Sequence, residues 1–115
     1  MPLNFNWLDV SNVTELDMIF CDMDDSFSAR EQHVEENRTI ICDKWNVKNV
    51  KSMSGLFNSC EVCLNTDISN WDVLNCLNFD KTFAYCNMSQ DNINKIKRKW
   101  HINPNASTTD MFKER

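Results

Sequence analysis

Six cysteines carry the most obvious chemistry in this chain of 115 residues, and Cys60 with Cys63 forms its one CxxC pair. Thiols at that spacing hold zinc or cycle between dithiol and disulfide. A zinc ribbon needs a second such pair or two histidines in register, and the chain offers only His33 and His101. Cys60, Cys63 and Cys42 therefore define one function class to be weighed, a cysteine-based redox or metal-responsive protein. Cys21 and Cys42 could pair only if the protein met an oxidant.

Other chemistry-bearing clusters are weaker. DMDDS, starting at Asp22, supplies oxygen ligands of the calcium type, but the loop glycine is missing and the twelfth position from Asp22 is His33 rather than a bidentate glutamate. The segment KIKRKWH places Lys95, Lys97, Arg98, Lys99 and His101 together, and reads as a solvated loop. A net charge of −5 argues against nucleic acid as partner, because phosphate neutralisation needs a positive footprint. With Gly55 as the only glycine, no phosphate-cradling loop, nucleophile elbow or dinucleotide fingerprint can form. No catalytic residue, metal ligand or cofactor is assigned, and the chain reads as a non-enzyme. Sequons at Asn12, Asn37, Asn87 and Asn105 carry little weight in a chain this rich in asparagine.

The elements that must position these residues come from a repeat. A thirteen-residue frame recurs four times, from Leu8 to Phe20, Trp45 to Phe57, Trp71 to Phe83 and Trp100 to Phe112. Two residues into each frame stand Val10, Val47, Val73 and Ile102, the β-branched type that a buried strand position favours. Trp45, Trp71 and Trp100 open their frames, and a strand residue shares a face with its second neighbour, so each Trp should turn inward with its Val. Cys60 and Cys86 both follow their Trp by fifteen positions, and Cys76 shares a column with Val13 and Val50, which makes these cysteines small core hydrophobes rather than ligands.

The second half of each frame has helical spacing. Met53, Leu56, Phe57 and Cys60 stand at i, i+3, i+4 and i+7, as do Leu16, Ile19, Phe20 and Met23. Thr14 with Asp17 and Ser107 with Asp110 resemble capping boxes, and Ser52 and Asn78 are cap-type residues. The expected fold class is α/β, a short leucine-rich-repeat-like solenoid of about four coils, each a short parallel strand plus a short helix. One repeat domain should span residues 1–115, with coils starting near 5, 42, 68 and 97 and an insertion loop near 25–38. The fourth frame is the weakest, since Asn105 and Thr108 stand in apolar columns.

The stretches DKWNVKNVKSMSGLFNSCEVCLNTDISNWDV and ISNWDVLNCLNFDKTFAYC resemble the repeat of the mycoplasma-type lipoprotein repeat family, a family of unknown function. Trp71, Asp72, Val73, Ser54, Gly55, Phe57 and Cys60 fall in its register, over about three and a half repeats. The family is similar to the leucine-rich repeats of bacterial surface protein A, and members occur on bacterial surfaces and in giant DNA viruses. The resemblance implies an interaction or structural role without catalysis.

Protein is the expected partner, either other subunits or an assembly component, with self-association through an exposed edge strand as one form of it. Candidate contacts are the apolar Phe5 and Trp7 at the front edge and the acids Asp24, Asp25, Glu35 and Glu36 of the insertion. No run of about 18 apolar residues is present, so no membrane span is expected. MPLNFNW has neither a basic nor an apolar leader region, which points to an intracellular or virion location and a reducing compartment.

Overall fold

A computed structural model of the chain describes residues 3–23, 39–62, 64 and 66–114. The insertion near 25–38, with Asp24, Asp25, Glu35 and Glu36, lies outside the described residues, as does Cys63. Regular elements are few. Strand β1 (Leu3–Asn4) pairs in parallel with β2 (Ile40–Ile41), and helix α1 spans Gln90–Lys99.

The expected α/β solenoid is therefore corrected. The described residues hold one helix and one sheet of two short strands, and no series of four strand-plus-helix coils forms. The backbone gives the reason. Met18, Gly55, Lys81 and Asp110, at the same place in the four frames, all have positive φ, and so do Asp22, Ser59 and Tyr85 four residues further on. A left-handed residue every four positions breaks any α-helix, and the segment becomes a run of turns instead. Its N–H groups go outward to the next frame: Met18 donates to the Ser54 carbonyl at 3.0 Å, Gly55 to Asp80 at 2.8 Å and Lys81 to Thr109 at 2.9 Å. The Trp and Val columns are likewise turn and irregular backbone, with Val13 donating to Val10, Val50 to Val47 and Cys76 to Val73.

Successive frames nonetheless lie side by side in register. Isolated parallel bridges join Glu15 to Ser52, Ser52 to Asn78 and Asn78 to Ser107. Three junctions repeat one pattern of four backbone bonds. Leu16, Met18, Phe20 and Asp22 donate to Ser52, Ser54, Leu56 and Asn58; Met53, Gly55, Phe57 and Ser59 donate to Asn78, Asp80, Thr82 and Ala84; Phe79, Lys81, Phe83 and Tyr85 donate to Ser107, Thr109, Met111 and Lys113.

Side chains follow the same order. Phe20, Phe57, Phe83 and Phe112 form a row with centroid separations of 5.3, 5.7 and 5.3 Å. Trp45, Trp71 and Trp100 form a second row at 6.1 and 6.2 Å. Each such aromatic pair adds about 0.5–1.5 kcal/mol beyond the area it buries. Each indole N–H is satisfied by a carbonyl three positions before the previous frame's start: Trp45 by Phe5 at 2.8 Å, Trp71 by Cys42 at 3.2 Å and Trp100 by Ile68 at 2.9 Å. Asn49 and Asn75 carry the stitching to the outside, donating their amides to the carbonyls of Ser11 and Lys48.

Helix α1 fills the gap between the third and fourth frames. Ser89 caps it by accepting from the Asn92 N–H, Asp91 sits in its first turn and Lys97, Arg98 and Lys99 in its last, all favourable to the helix dipole. Ile96 and Asn92 are its buried face. KIKRKWH, expected as a loop, is therefore mostly the last turns of a helix. Among the described residues no helix is long and apolar enough to cross a membrane.

Candidate docking surface

The core columns divide the molecule into an interior and two ends. Val10, Val47, Val73, Trp45, Trp71, Trp100, Phe20, Phe57, Phe83 and Cys60 are buried in one cluster, against which Cys86 and Phe112 pack half-buried. These residues hold frames together and leave no polar site between them. Among the described residues no buried side-chain nitrogen or oxygen lacks a partner.

The front end is the outer side of the first frame. Trp7 is 75 % exposed and Leu8, which stands in the Trp column, is exposed beside it in sequence. Met18 and Ile19 are 61 % and 55 % exposed, although Leu56, Thr82 and Met111, in the same column as Ile19, are buried. Ile19 was expected inside from its helical spacing; as a turn residue on the terminal frame it is not covered. Phe5 is half-buried against the core. Its ring lies 5.2 Å from that of Phe20 and its carbonyl holds the Trp45 indole. Residues 3–23 contain four acids, Asp9, Glu15, Asp17 and Asp22, and no lysine or arginine. Ser11, through its hydroxyl and its N–H, holds the Asp9 carboxyl below the usual range. The hydrogen bond from neighbouring Asp17 raises that of Glu15.

Asp17 does more than supply charge, and its spacing from Thr14 disguised this. Rather than capping a helix, its carboxylate accepts from the Ser52 hydroxyl at 2.6 Å and the Ser54 N–H at 2.9 Å. Asp80 repeats the clasp on the fourth frame, accepting from the Ser107 hydroxyl at 2.5 Å and the Thr109 N–H at 2.8 Å. The signal was present as an Asp directly before the left-handed residue in two of the four frames, Asp17 before Met18 and Asp80 before Lys81.

The back end is the outer side of the fourth frame with α1 along it. Thr108 and Asn105 are exposed, and the Lys97 ammonium covers the Phe112 ring at 4.9 Å. Residues 90–114 hold five lysines and arginines against three acids. A cleft of about 430 Å³ opens here between α1 and the last two frames, lined by Phe83, Tyr85, Ile93, Phe112 and Lys113 among others. A second groove of about 600 Å³ crosses the frames along Asn12, Asn49, Asn75, Thr14 and Lys51. Leu77 lines it and is exposed, as is Leu74, whose column holds the polar Ser11, Lys48 and Asn103 in the other frames.

Cys21, Cys42 and Cys76 are placed poorly for redox or metal chemistry. Cys21, Cys42 and Cys76 are free thiols, and burial raises the pKa of each, most strongly for Cys42. The thiolate, which attacks and ligates, is thus disfavoured. Cys60 is buried with its Sγ 3.4 Å from the Val62 carbonyl. Among the described residues no three His, Cys, Asp or Glu side chains come together to hold a metal.

Stacked turns with aromatic rows, closed interior columns and chemically different ends make up the described part of the chain. The chain belongs to the family described as Mycoplasma protein of unknown function, DUF285, which matches residues 3–115. No curated protein and no solved structure matches it.

Proposed function

We propose that the protein is a non-enzymatic interaction or structural module that docks protein through the exposed end of its first frame. In this reading it is a minor component of a larger assembly, such as a giant-virus particle, and works inside the cell or the particle. The observation that carries the reading is the exposure of Trp7, Leu8, Met18 and Ile19 at the front end, in a segment, residues 3–23, that holds four acids and no lysine or arginine. Trp is among the residues most enriched at protein interfaces, where an apolar anchor ringed by charge is the usual anatomy. Free thiols at Cys21, Cys42 and Cys76 are consistent with a reducing compartment.

Site-specific photo-crosslinking tests it. A benzoylphenylalanine in place of Trp7 or Ile19, introduced in cells that make the protein, should give one protein adduct of the same mass from both positions. The same residue in place of Asp72, an exposed residue of an interior frame, is the control. Adducts at positions 7 and 19 no stronger than at 72 would remove the support for docking at this end.

A further inference from the structure

The ends of the stack are unsatisfied in complementary ways. At each internal junction the N–H groups at positions 8, 10, 12 and 14 of one frame donate to the carbonyls at positions 7, 9, 11 and 13 of the next, counting the frame's first residue as zero, with lengths between 2.8 and 3.0 Å. The same rule leaves four carbonyls facing out of the front, those of Glu15, Asp17, Ile19 and Cys21. It leaves four N–H groups facing out of the back, those of Thr108, Asp110, Phe112 and Glu114. None of these eight groups has a partner among the described residues. Unpaired edges of this kind are templates for another chain.

We propose that copies of this chain stack head to tail, the fourth frame of one copy docking on the first frame of the next through a fourth junction of the same form. The inference rests on the reading of the front end as a protein-docking surface and names its occupant. Thr108, Asp110, Phe112 and Glu114 donate to Glu15, Asp17, Ile19 and Cys21 of the following copy. Parallel register is preserved, so the bond pattern of the three internal junctions is extended without a change of geometry.

Charge agrees with this polarity. The front segment, residues 3–23, has four acids and no lysine or arginine, whereas residues 90–114 carry five basic and three acidic side chains. Front against front would bring acid to acid; front against back brings Asp9, Glu15 and Asp22 toward Lys97, which lies beside Phe112, and Lys113. Lys97, which lies over the Phe112 ring in the free chain, swings away to meet those acids and uncovers the ring. Because front and back are different surfaces, the interface is heterologous and does not close on itself as a twofold dimer does.

Sedimentation velocity on the full chain at rising concentration tests the proposal. The expected result is a series of species that extends past the dimer and shrinks at high salt, as screened charge pairs require. Two variants sharpen it. Glu15→Lys with Ile19→Lys blocks the front with exposed residues only, and Thr108→Pro with Lys113→Glu blocks the back by deleting an outward N–H. Each variant alone should sediment as a monomer, and an equal mixture should give dimers and nothing larger, because each dimer then has a blocked group at both ends. Near-UV circular dichroism confirms that both fold, and if the proline variant does not, the front variant alone decides between a growing series and a monomer. A wild-type chain that stays monomeric at millimolar concentration overturns the proposal, as does a front variant that associates like the wild type. Monomeric wild type with position-7 adducts to a different protein would leave the docking reading standing while removing this one.

Discussion

The second frame and the fourth share a backbone pattern and differ in what they bury. In the second, Val47, Val50, Met53 and Phe57 are buried and pack between neighbours on both sides. In the fourth, Asn105 and Thr108 stand exposed in the corresponding columns and Phe112 is half-buried. Yet both carry a left-handed residue at the same place, Gly55 and Asp110, and both take part in the same four-bond junctions. Backbone register, then, is what the repeat preserves, and the apolar columns are demanded only where a frame is covered twice. The largest test of this contrast is truncation of the Phe row. Phe57→Ala should cost about 3–5 kcal/mol, the usual range for a buried phenylalanine, whereas Phe112→Ala should cost about 1 kcal/mol because solvent already reaches that ring. Urea unfolding of the two variants measures both, and equal losses would mean that the ends are as tightly built as the middle.

The two aspartate clasps offer a smaller contrast. Asp17 receives Ser52 and Ser54 in partly buried bonds, while Asp80 receives Ser107 and Thr109 in exposed ones. Losing a charged acceptor of buried donors costs about 1–3 kcal/mol, and water replaces it more easily at an exposed site. Asp17→Ala should therefore destabilise more than Asp80→Ala by thermal melting, and the reverse order would show that the fourth frame depends on its clasp more than the first junction does.

Left-handed positions give a difference of sign. At Gly55, φ is +65° and an added Cβ would meet the Met18 Cγ at 3.2 Å. Met18 is a flexible, exposed side chain that can give way, so Gly55→Ala should cost only the backbone strain, about 1–2 kcal/mol. Lys81 occupies the matching place with φ of 57° and a side chain in solvent. Lys81→Gly should stabilise by about 0.5–1 kcal/mol, the strain relieved exceeding the flexibility gained by the unfolded chain. Chemical denaturation of both should give opposite signs, and a destabilised Lys81→Gly would mean that the lysine side chain contributes contacts the strain does not outweigh.

These left-handed residues also mark where the sequence stopped being legible. The thirteen-residue spacing located the frames and the Trp and Phe rows, because identical spacing repeats whatever local conformation the chain adopts. It could not separate a helix from a run of turns. Met53, Leu56, Phe57 and Cys60 have the spacing of an amphipathic helix, and an apolar stripe looks the same when turns alternate with left-handed residues. Glycine would have flagged the turns, but only Gly55 does so; Met18, Lys81 and Asp110 hide the same φ behind ordinary side chains. α1 was missed for the opposite reason: its basic last turn reads as solvated charge, and only Ile96 and Asn92 face the core. At the front end the apolar run Phe5, Trp7, Leu8 and Val10 reads as an open edge, of which Trp7 and Leu8 are exposed and Val10 is buried; Ile19 was not legible, since an end frame has the spacing of an interior one and lacks the neighbour that would cover it.

The smallest expected effect sets Cys21, on the terminal frame, against Cys42, an interior residue. Burial raises both thiol pKa values above the ordinary 9.0, Cys42 far more than half-buried Cys21. A thiol whose pKa rises on folding keeps its proton in the native state at pH values where the unfolded chain has lost it. The unfolded state then binds fewer protons, so stability is intact below the ordinary thiol value and falls as pH climbs through it. Cys42→Ala should lower the melting temperature near pH 7 by leaving a small cavity, yet flatten its decline between about pH 8.5 and pH 10.5. Cys21→Ala should change that slope much less. Melting curves collected across this interval decide the matter: parallel slopes for wild type and Cys42→Ala would place the Cys42 thiol in contact with water, and the contrast between a sealed interior and an open end would fail at that residue.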